Sequence, residues 1–238
     1  MLRSLLFYPS VVISLVVVFI NTIKINYLER KGRTEERILL IHRITHKWAK
    51  FVMKLSGCKV TVTGLENIPK NQTVLFMSNH QSYFDIPLLM SSINIPKGFI
   101  AKKELAKWPG ISMWMRYMQC IFMDRDNMRK SAEAIVDGIN ILKSGYSMVI
   151  FPEGTRSKGG QPSDFKGGSF KLALKSKVPI VPITIDGTYK VLEANNSKIK
   201  ASSITVKIHP SIDVTSLSKE EINDLPNKVE KIVLGELK

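Results

Sequence analysis

The chain opens with an apolar segment. No charged residue interrupts residues 5–23, and a helix needs about 20 apolar residues to cross the hydrocarbon core of a bilayer. The segment therefore predicts a membrane anchor, either a single span or a helical hairpin that enters one leaflet. No small-x-small cleavage site follows it, which favours an anchor over a cleaved signal peptide. A buried helix of a soluble domain is the remaining alternative.

The next segment is basic and amphipathic. Between Lys24 and Lys54 the sequence has nine basic and three acidic residues, whereas only Arg3 is basic before the apolar segment. This asymmetry predicts that the bulk of the protein lies on the cytoplasmic face of the cell (inner) membrane. Apolar residues recur at helical spacing within 35–55, so we expect a helix that lies on an anionic membrane surface. A helix that packs on the following domain is the alternative.

Beyond this segment, short β-rich runs alternate with helical patterns. Strand patterns occur at 59–69, 73–79, 97–105 (where a helix also starts), 120–125, 146–154, 178–186 and 203–213. Helical patterns occur at 84–92, 128–143, 169–177 and 217–237. Such alternation predicts an α/β fold with a mostly parallel central sheet flanked by helices. We therefore divide the chain into an N-terminal membrane-binding segment, residues 1–57, and an α/β domain, residues 58–238.

Composition narrows the class of partner. The 238 residues carry a formal charge of +15, which favours nucleic acid, an acidic membrane face or a phosphorylated substrate. No nucleic-acid-binding signature is present, so we expect no nucleic-acid partner. Two distant cysteines and four histidines without a HExxH pattern argue against a disulfide scaffold and against a metal site.

Three polar clusters follow predicted strands. They are residues 79–85 ("NHQSYFD"), residues 124–125 ("DR") and residues 152–157 ("PEGTRS"). In open α/β sheets, chemistry gathers beyond the carboxyl ends of the strands. We therefore expect all three clusters at one edge of the sheet.

The first cluster allows several kinds of site. His80 and Asp85 would lie about 140° apart in a regular helix, so they pair only if His80 precedes the helix. In that case Asp85 accepts one imidazole proton and leaves the other nitrogen as a base. A helix-capping box of Ser82 and Asp85 is compatible with this pair. A nucleophilic Ser82 lacks the G-x-S-x-G elbow, and a metal clip lacks a third ligand.

The other two clusters offer groups that suit phosphate. Arg125 and Arg156 provide guanidinium forks that match phosphate oxygens, and Gly154 permits close backbone approach. A plain turn with solvated arginines is the alternative. Several lysines add positive potential nearby in sequence: Lys102, Lys103, Lys166 and Lys171.

The order of four motifs resembles that of the glycerolipid acyltransferases. The motifs are "NHQSYFD", "IFMDR", "FPEGTRS" and "VPIVPI", and the resemblance covers roughly residues 60–215. It implies that His80 and Asp85 are the catalytic pair of an HxxxxD motif. The residues that it implies for binding the glycerol phosphate are Arg125, Glu153, Gly154, Thr155 and Arg156, to which we add Lys102. The family often has glycine where this chain has Gln119.

The resemblance also implies a reaction. His80 would take the proton of the 2-hydroxyl of lysophosphatidic acid, and that oxygen would attack the thioester of acyl-CoA or acyl-acyl carrier protein. We expect no cofactor beyond this co-substrate, and a phospholipid bilayer as partner. Another glycerolipid acceptor, such as glycerol 3-phosphate or a lysophospholipid, is an alternative. A non-enzymatic binder of anionic lipid or nucleic acid is a further one.

Overall fold

The computed structural model describes residues 2–237. The helices are α1 (Leu2–Phe19), α2 (Thr22–Arg30), α3 (Thr34–Ser56), α4 (Asp85–Ser92), α5 (Ile111–Tyr117), α6 (Met128–Lys143), α7 (Lys171–Ser176) and α8 (Lys219–Leu234). The strands are β1 (Lys59–Thr63), β2 (Leu75–Ser78), β3 (Lys97–Lys102), β4 (Ile121–Met123), β5 (Ser147–Ile150), β6 (Ile180–Asp186) and β7 (Ser203–Ile208).

The strands form one sheet of order β1-β7-β6-β2-β5-β3-β4. Every neighbouring pair is parallel except β6 and β7, so β1 and β7 run opposite to the other five strands. This confirms the predicted α/β fold with a mostly parallel sheet. The carboxyl ends of β2, β3, β4, β5 and β6 therefore meet at one edge, which we call the site edge.

The burial pattern of each strand agrees with its position in the sheet. Every residue of β2 and β5 is buried, as expected for central parallel strands covered on both faces. Residues of β1 and β7 alternate between exposed and less exposed positions, because only one face of this end is covered. One hydrophobic cluster lies beneath α3 and α4, and a second lies beneath α6, α7 and α8.

Several local features differ from the predicted elements. Helix α5 was not predicted, since its seven residues are too few to show a periodic pattern. The strand predicted at 120–125 shortens to β4, and Gln119 just before it adopts a positive φ of 55°. This is the position where the family often has glycine. A Cβ on Gly98 of β3 would lie 2.7 Å from the Gln119 carbonyl oxygen, so the turn at Gln119 packs directly against β3.

Helix α3 packs on the α/β domain rather than standing apart from it. Its buried residues include Ile41, Ala49 and Val52, which belong to the cluster beneath α4. The His46 ring nitrogen Nδ1 lies 2.8 Å from the Met90 carbonyl oxygen of α4. Gly57 ends the helix with φ 71°, and β1 begins two residues later. The predicted amphipathic helix is therefore present, with its apolar face turned to the domain.

Helix α1 is docked on the domain along one face and exposed along the other. Its first turns contact the domain: Arg3 donates to the Ser56 carbonyl oxygen at 2.6 Å, and the Phe7 ring lies 5.7 Å from the Phe84 ring. Within residues 2–237, one helical stretch, Arg3–Arg30, has the length and composition to cross a membrane. Its exposed large apolar side chains are Leu5, Leu6, Tyr8, Val12, Ile13, Val16, Val17, Phe19, Ile20, Ile23 and Tyr27. This exposure argues against a buried core helix.

A buried lysine lies far from the site edge. Lys97 begins β3, and its amine donates to the carbonyl oxygens of Ile93 at 2.6 Å and Ile95 at 3.1 Å. Burial lowers the pKa of Lys97 to about 7. The amine therefore closes the turn after α4, at the end of the sheet opposite to the polar clusters.

Candidate active site

His80 and Asp85 contact each other at the site edge. His80 follows β2 on the turn that precedes α4, and its Nδ1 lies 2.7 Å from Asp85 Oδ2. The His80 ring stacks on Phe151 with ring centres 4.0 Å apart. Because Asp85 Oδ2 is an acceptor, Nδ1 carries the proton and Nε2 is left as the basic nitrogen.

The Asp85 carboxylate is buried and held by four hydrogen bonds. Its Oδ2 accepts from His80 Nδ1, from the Gln81 amide at 2.7 Å and from the Ser82 amide at 2.9 Å. Its Oδ1 accepts from the Thr188 hydroxyl at 2.6 Å. Asp85 has no exposed surface. The carboxylate is therefore fixed in one orientation before any substrate binds.

Ser82 holds the turn rather than standing ready to attack. Its hydroxyl accepts from the Phe84 amide at 3.0 Å and donates to Glu193 Oε2 at 2.6 Å. The Ser82 amide donates to Asp85, which is one of the two bonds of the predicted capping box, but the Ser82 hydroxyl binds the Phe84 amide instead of the Asp85 amide, and α4 has no side-chain cap. Within residues 2–237, no three His, Cys, Asp or Glu side chains lie together as a metal site requires.

Glu153 joins the loop after β5 to the loop of His80. Its Oε1 accepts from the His80 amide at 2.7 Å, and its Oε2 accepts from the Ser163 amide at 3.2 Å. Burial raises the pKa of the Glu153 carboxyl, and these two hydrogen bonds oppose that shift. The Ser157 amide donates back to the His80 carbonyl oxygen at 2.8 Å. The two motifs thus form one hydrogen-bonded unit.

Arg125 and Lys166 converge on Gly154. Arg125, which is exposed after β4, donates through Nη1 to the Gly154 carbonyl oxygen. Gly154 has φ 73°, and a Cβ there would lie 3.0 Å from Lys166 Nζ. Neither cation has a carboxylate within ion-pair distance among the described residues. The neighbouring Thr155 is exposed. The two unpaired cations make this corner of the site attractive to an anion.

Arg156 is placed differently from Arg125. Its Nη1 lies 3.0 Å from Glu193 Oε1, and its guanidinium lies 3.5 Å from the centre of the Tyr83 ring. Glu193 also accepts from the Ser82 hydroxyl and from the Tyr83 amide, the latter at 3.1 Å. Arg156 is therefore already paired with a carboxylate, and it links the loop after β5 to the loop before α4.

Lys102 lies at the carboxyl end of β3 in the register of Met123, two residues before Arg125. Its amine is 3.4 Å from Glu104 Oε1. Lys103, by contrast, is 2.6 Å from Asp124, and this contact raises the pKa of the lysine and lowers that of the carboxyl. Lys103 thus has a close acidic partner, whereas Lys102 has only a loose, exposed one.

Sequence reasoning missed two residues of this edge altogether. Thr188 contacts Asp85 and Glu193 contacts Arg156, and both follow β6. Neither stands in a motif that would single it out. The one available signal was their position just after a predicted strand, which is the place where such residues gather.

A family model and several known proteins match this chain. The Acyltransferase family model matches residues 59–186, which is more than half of the chain. That range includes β1 to β6 and all three polar clusters.

Individual relatives match over most of their length. A 1-acyl-sn-glycerol-3-phosphate acyltransferase of Borreliella burgdorferi is 35% identical over 188 residues, which cover 79% of this chain and 75% of that protein. A probable enzyme of the same name from Mycoplasma pneumoniae is 31% identical, covering 84% and 75%. The crystal structure of the 1-acyl-sn-glycerophosphate (LPA) acyltransferase PlsC from Thermotoga maritima is similar with a TM-score of 0.76 at 32% identity, covering 98% of this chain and 93% of that one.

Proposed function

Because the chain belongs to the Acyltransferase family, we propose that it acylates the sn-2 hydroxyl of 1-acyl-sn-glycerol 3-phosphate and forms phosphatidic acid. The relatives described above carry the name of this reaction. The observation that carries the proposal is the 2.7 Å contact between His80 Nδ1 and Asp85 Oδ2 beside two unpaired cations. The acyl donor is a thioester, acyl-CoA or acyl-acyl carrier protein, and no further cofactor takes part.

The transfer is direct. His80 Nε2 takes the proton of the sn-2 hydroxyl, and the oxygen attacks the thioester carbonyl carbon. The tetrahedral intermediate then collapses, the carbon–sulfur bond breaks, and the sulfur leaves with the proton that His80 returns. General-base catalysis of this kind contributes about 10²–10⁴-fold. No enzyme nucleophile is required, in agreement with a Ser82 hydroxyl that donates to Glu193.

The other residues of the site either bind the phosphate of the acceptor or hold the loops in place. Arg125, with Lys166 beside it, binds the phosphate of the acceptor, because neither has a carboxylate at ion-pair distance among the described residues. Arg156 and Glu153 hold the loops of His80 in place, since their charged groups are already bound to protein atoms. Gly154 and Thr155 form the turn that presents Arg125 to the acceptor. Lys102 adds positive potential at the end of β3.

We expect Arg125→Ala to raise the KM for lysophosphatidic acid about tenfold or more, because a charge-assisted hydrogen bond to phosphate is lost. The KM for acyl-CoA should change little. Release of free thiol from acyl-CoA measures both constants, and glycerol 3-phosphate and lysophosphatidylcholine are compared as acceptors in the same assay. Supplying acyl-acyl carrier protein instead of acyl-CoA identifies the donor.

Arg129→Ala is the matched control for that variant. Arg129 is an exposed arginine whose contact is Glu133, four residues further along α6. Its loss should leave both KM values unchanged. An equal rise of the two KM values in Arg125→Ala would refute the phosphate role. Faster turnover with another acceptor in the native protein would refute lysophosphatidic acid as the substrate.

The membrane segment supports an interfacial anchor rather than a full span. The helical stretch Arg3–Arg30 is 28 residues long, about 42 Å at 1.5 Å per residue, so its docking on the domain rather than its length argues against a full span. Its first two turns contact the domain through Arg3, Ser4 and Tyr8. The exposed face of α1 runs from Leu5 to Phe19 while the opposite face packs on the domain, so it is this face that enters one leaflet. The basic excess after this segment supports a domain on the cytoplasmic face.

A charged pair on the exposed face of α1 should weaken membrane binding. We expect Val16→Lys with Val17→Lys to reduce partitioning into anionic phospholipid vesicles about tenfold or more, because lysine is costly in hydrocarbon. Vesicle sedimentation measures the bound fraction. Val136→Lys is the control, since Val136 is a similarly exposed valine on α6. Undiminished binding of the double variant would rule out insertion of α1.

A further inference from the structure

The hydroxyl of Thr188 contacts the Asp85 carboxylate at Oδ1, the oxygen that does not bind His80. Its Oγ1 lies 2.6 Å from Asp85 Oδ1 and 3.4 Å from Gln81 Oε1. Thr188 has no exposed surface, and neither has Asp85. The two residues are 103 positions apart in the chain. A short contact between fully buried groups from distant segments forms only when the whole domain folds, so it is a defined part of the tertiary structure.

The turn that carries Thr188 is fixed on both sides. Gly187 has φ 94°, and a Cβ there would lie 2.5 Å from the Ser203 carbonyl oxygen of β7, so glycine is required. The Gly187 amide donates to Gln81 Oε1 at 3.0 Å. One turn after β6 is thereby tied to β7 and to the residue that follows His80. The Thr188 hydroxyl has little freedom to move away from Asp85.

The four donors are divided unequally between the two carboxylate oxygens. Three of them, including His80 Nδ1, bind Oδ2, whereas Thr188 is the one donor to Oδ1 among the described residues. A carboxylate held by one oxygen alone can rotate about its Cβ–Cγ bond. A donor on the second oxygen removes that freedom and also withdraws electron density from the oxygen that faces His80.

We propose that Thr188 is a positioning residue for the reaction, the third member of a His80–Asp85–Thr188 relay. It holds Asp85 so that the imidazole keeps Nε2 directed at the acceptor hydroxyl, and it moderates how strongly Asp85 attracts the imidazole proton. This role rests on the proposed function of His80 as general base. Thr188 itself touches neither the substrate nor the reacting atoms.

Thr188→Val removes the hydroxyl and keeps the shape of the side chain. We expect kcat for lysophosphatidic acid acylation to fall about 10- to 100-fold, the effect of one hydrogen bond to a charged group. The KM values of both substrates should stay within about twofold, because substrate binding is untouched. Thr188→Ser keeps the hydroxyl and should restore most of kcat. Thr188→Ala is measured alongside as a smaller variant without the hydroxyl.

The pH dependence of kcat/KM distinguishes a positioning role of Thr188 from a role in packing alone. Without the Thr188 donor, Asp85 attracts the imidazole proton more strongly, so protonation of His80 sets in at higher pH. The acidic limb of the kcat/KM profile should therefore move to higher pH in Thr188→Val and remain in place in Thr188→Ser. The other charged groups that face this pair come from the loops after β5 and β6 and are unchanged: Glu153, Arg156 and Glu193.

Thr184→Val is the matched control. Thr184 is a buried threonine of β6 whose hydroxyl contacts His209 Nε2 at 2.9 Å and the Val233 carbonyl oxygen at 2.7 Å. Its replacement should lower the melting temperature without moving the pH limb or lowering kcat beyond about twofold.

Each result supports or overturns the relay. A native pH limb and kcat in both Thr188→Val and Thr188→Ala would overturn it, as would an equal loss in Thr188→Ser. If Thr188→Val does not fold, the comparison of Thr188→Ala with Thr188→Ser decides by the same two measurements. His80→Ala is run in parallel: retained turnover in that variant refutes the general base itself, whereas an inactive His80→Ala with a native Thr188→Val refutes only the relay.

Discussion

His80→Ala is expected to lower kcat for acyl transfer by about 10²–10⁴-fold, the usual contribution of a general base. Asp85 binds Nδ1 of the imidazole, and among residues 2–237 no hydrogen bond occupies Nε2, which is therefore the basic nitrogen at this edge. Loss of the ring leaves the acceptor hydroxyl protonated when it meets the thioester. Release of free thiol from acyl-CoA in the presence of lysophosphatidic acid measures the effect.

Binding should survive the loss of His80. The membrane segment and the cations at Gly154 are unchanged, so vesicle partitioning and the KM for lysophosphatidic acid should stay near those of the native protein. His42→Ala is the control, because His42 is a half-buried histidine whose Nε2 contacts Asn94 at 3.0 Å on the far side of α4. If His80→Ala keeps its turnover, the chemistry belongs to another residue.

Asp85→Asn is expected to lower kcat by about 10²-fold or more. The amide has the same shape but no charge, so the imidazolium that forms during the reaction loses its counter-ion. The amide must also present its single oxygen to three donors from His80, Gln81 and Ser82. Both effects act on the base, so the fall should appear in kcat while the KM for lysophosphatidic acid changes little.

Stability needs a separate measurement for this variant, because Asp85 is fully buried. Thermal unfolding followed by circular dichroism reports whether Asp85→Asn remains folded at the assay temperature. Asp213→Asn is a matched control: Asp213 also accepts a backbone hydrogen bond two residues on, from Thr215 at 2.9 Å, in an exposed turn outside the site. A folded Asp85→Asn with native kcat would show that Asp85 has no part in the reaction.

Much of the fold follows from local pattern. The buried runs of β2 and β5 and the helical spacing of α6 are visible in the sequence, since burial on two faces and on one face leave different periodicities. The short α5 and the separate α2 were not predicted, because seven and nine residues carry too little pattern. The left-handed Gln119 is likewise invisible, since a residue other than glycine gives no sign of a positive φ.

Part of the candidate site could likewise be predicted from the sequence, and part could not. His80 and Asp85 are five positions apart, so a turn followed by the start of a helix is enough to bring them together. The HxxxxD motif identifies both residues from the sequence alone. Arg125 and Arg156 have equal standing in the sequence, yet they differ in the structure. Arg156 has Glu193 as its partner, whereas Arg125 has no carboxylate at ion-pair distance within residues 2–237. Only the folded chain separates a cation that is free for substrate from one that holds a loop.

By itself, the sequence determined the alternation of strands and helices, the apolar and basic N-terminal segments, and the pair of His80 and Asp85. These depend on residues close together in the chain, where side-chain type and spacing act directly. The tertiary structure alone decided that β6 lies beside β2, which carries Thr188 to Asp85 and Glu193 to Ser82 across more than a hundred residues. Such contacts depend on strand order, and no local pattern of side chains records the order in which strands pair.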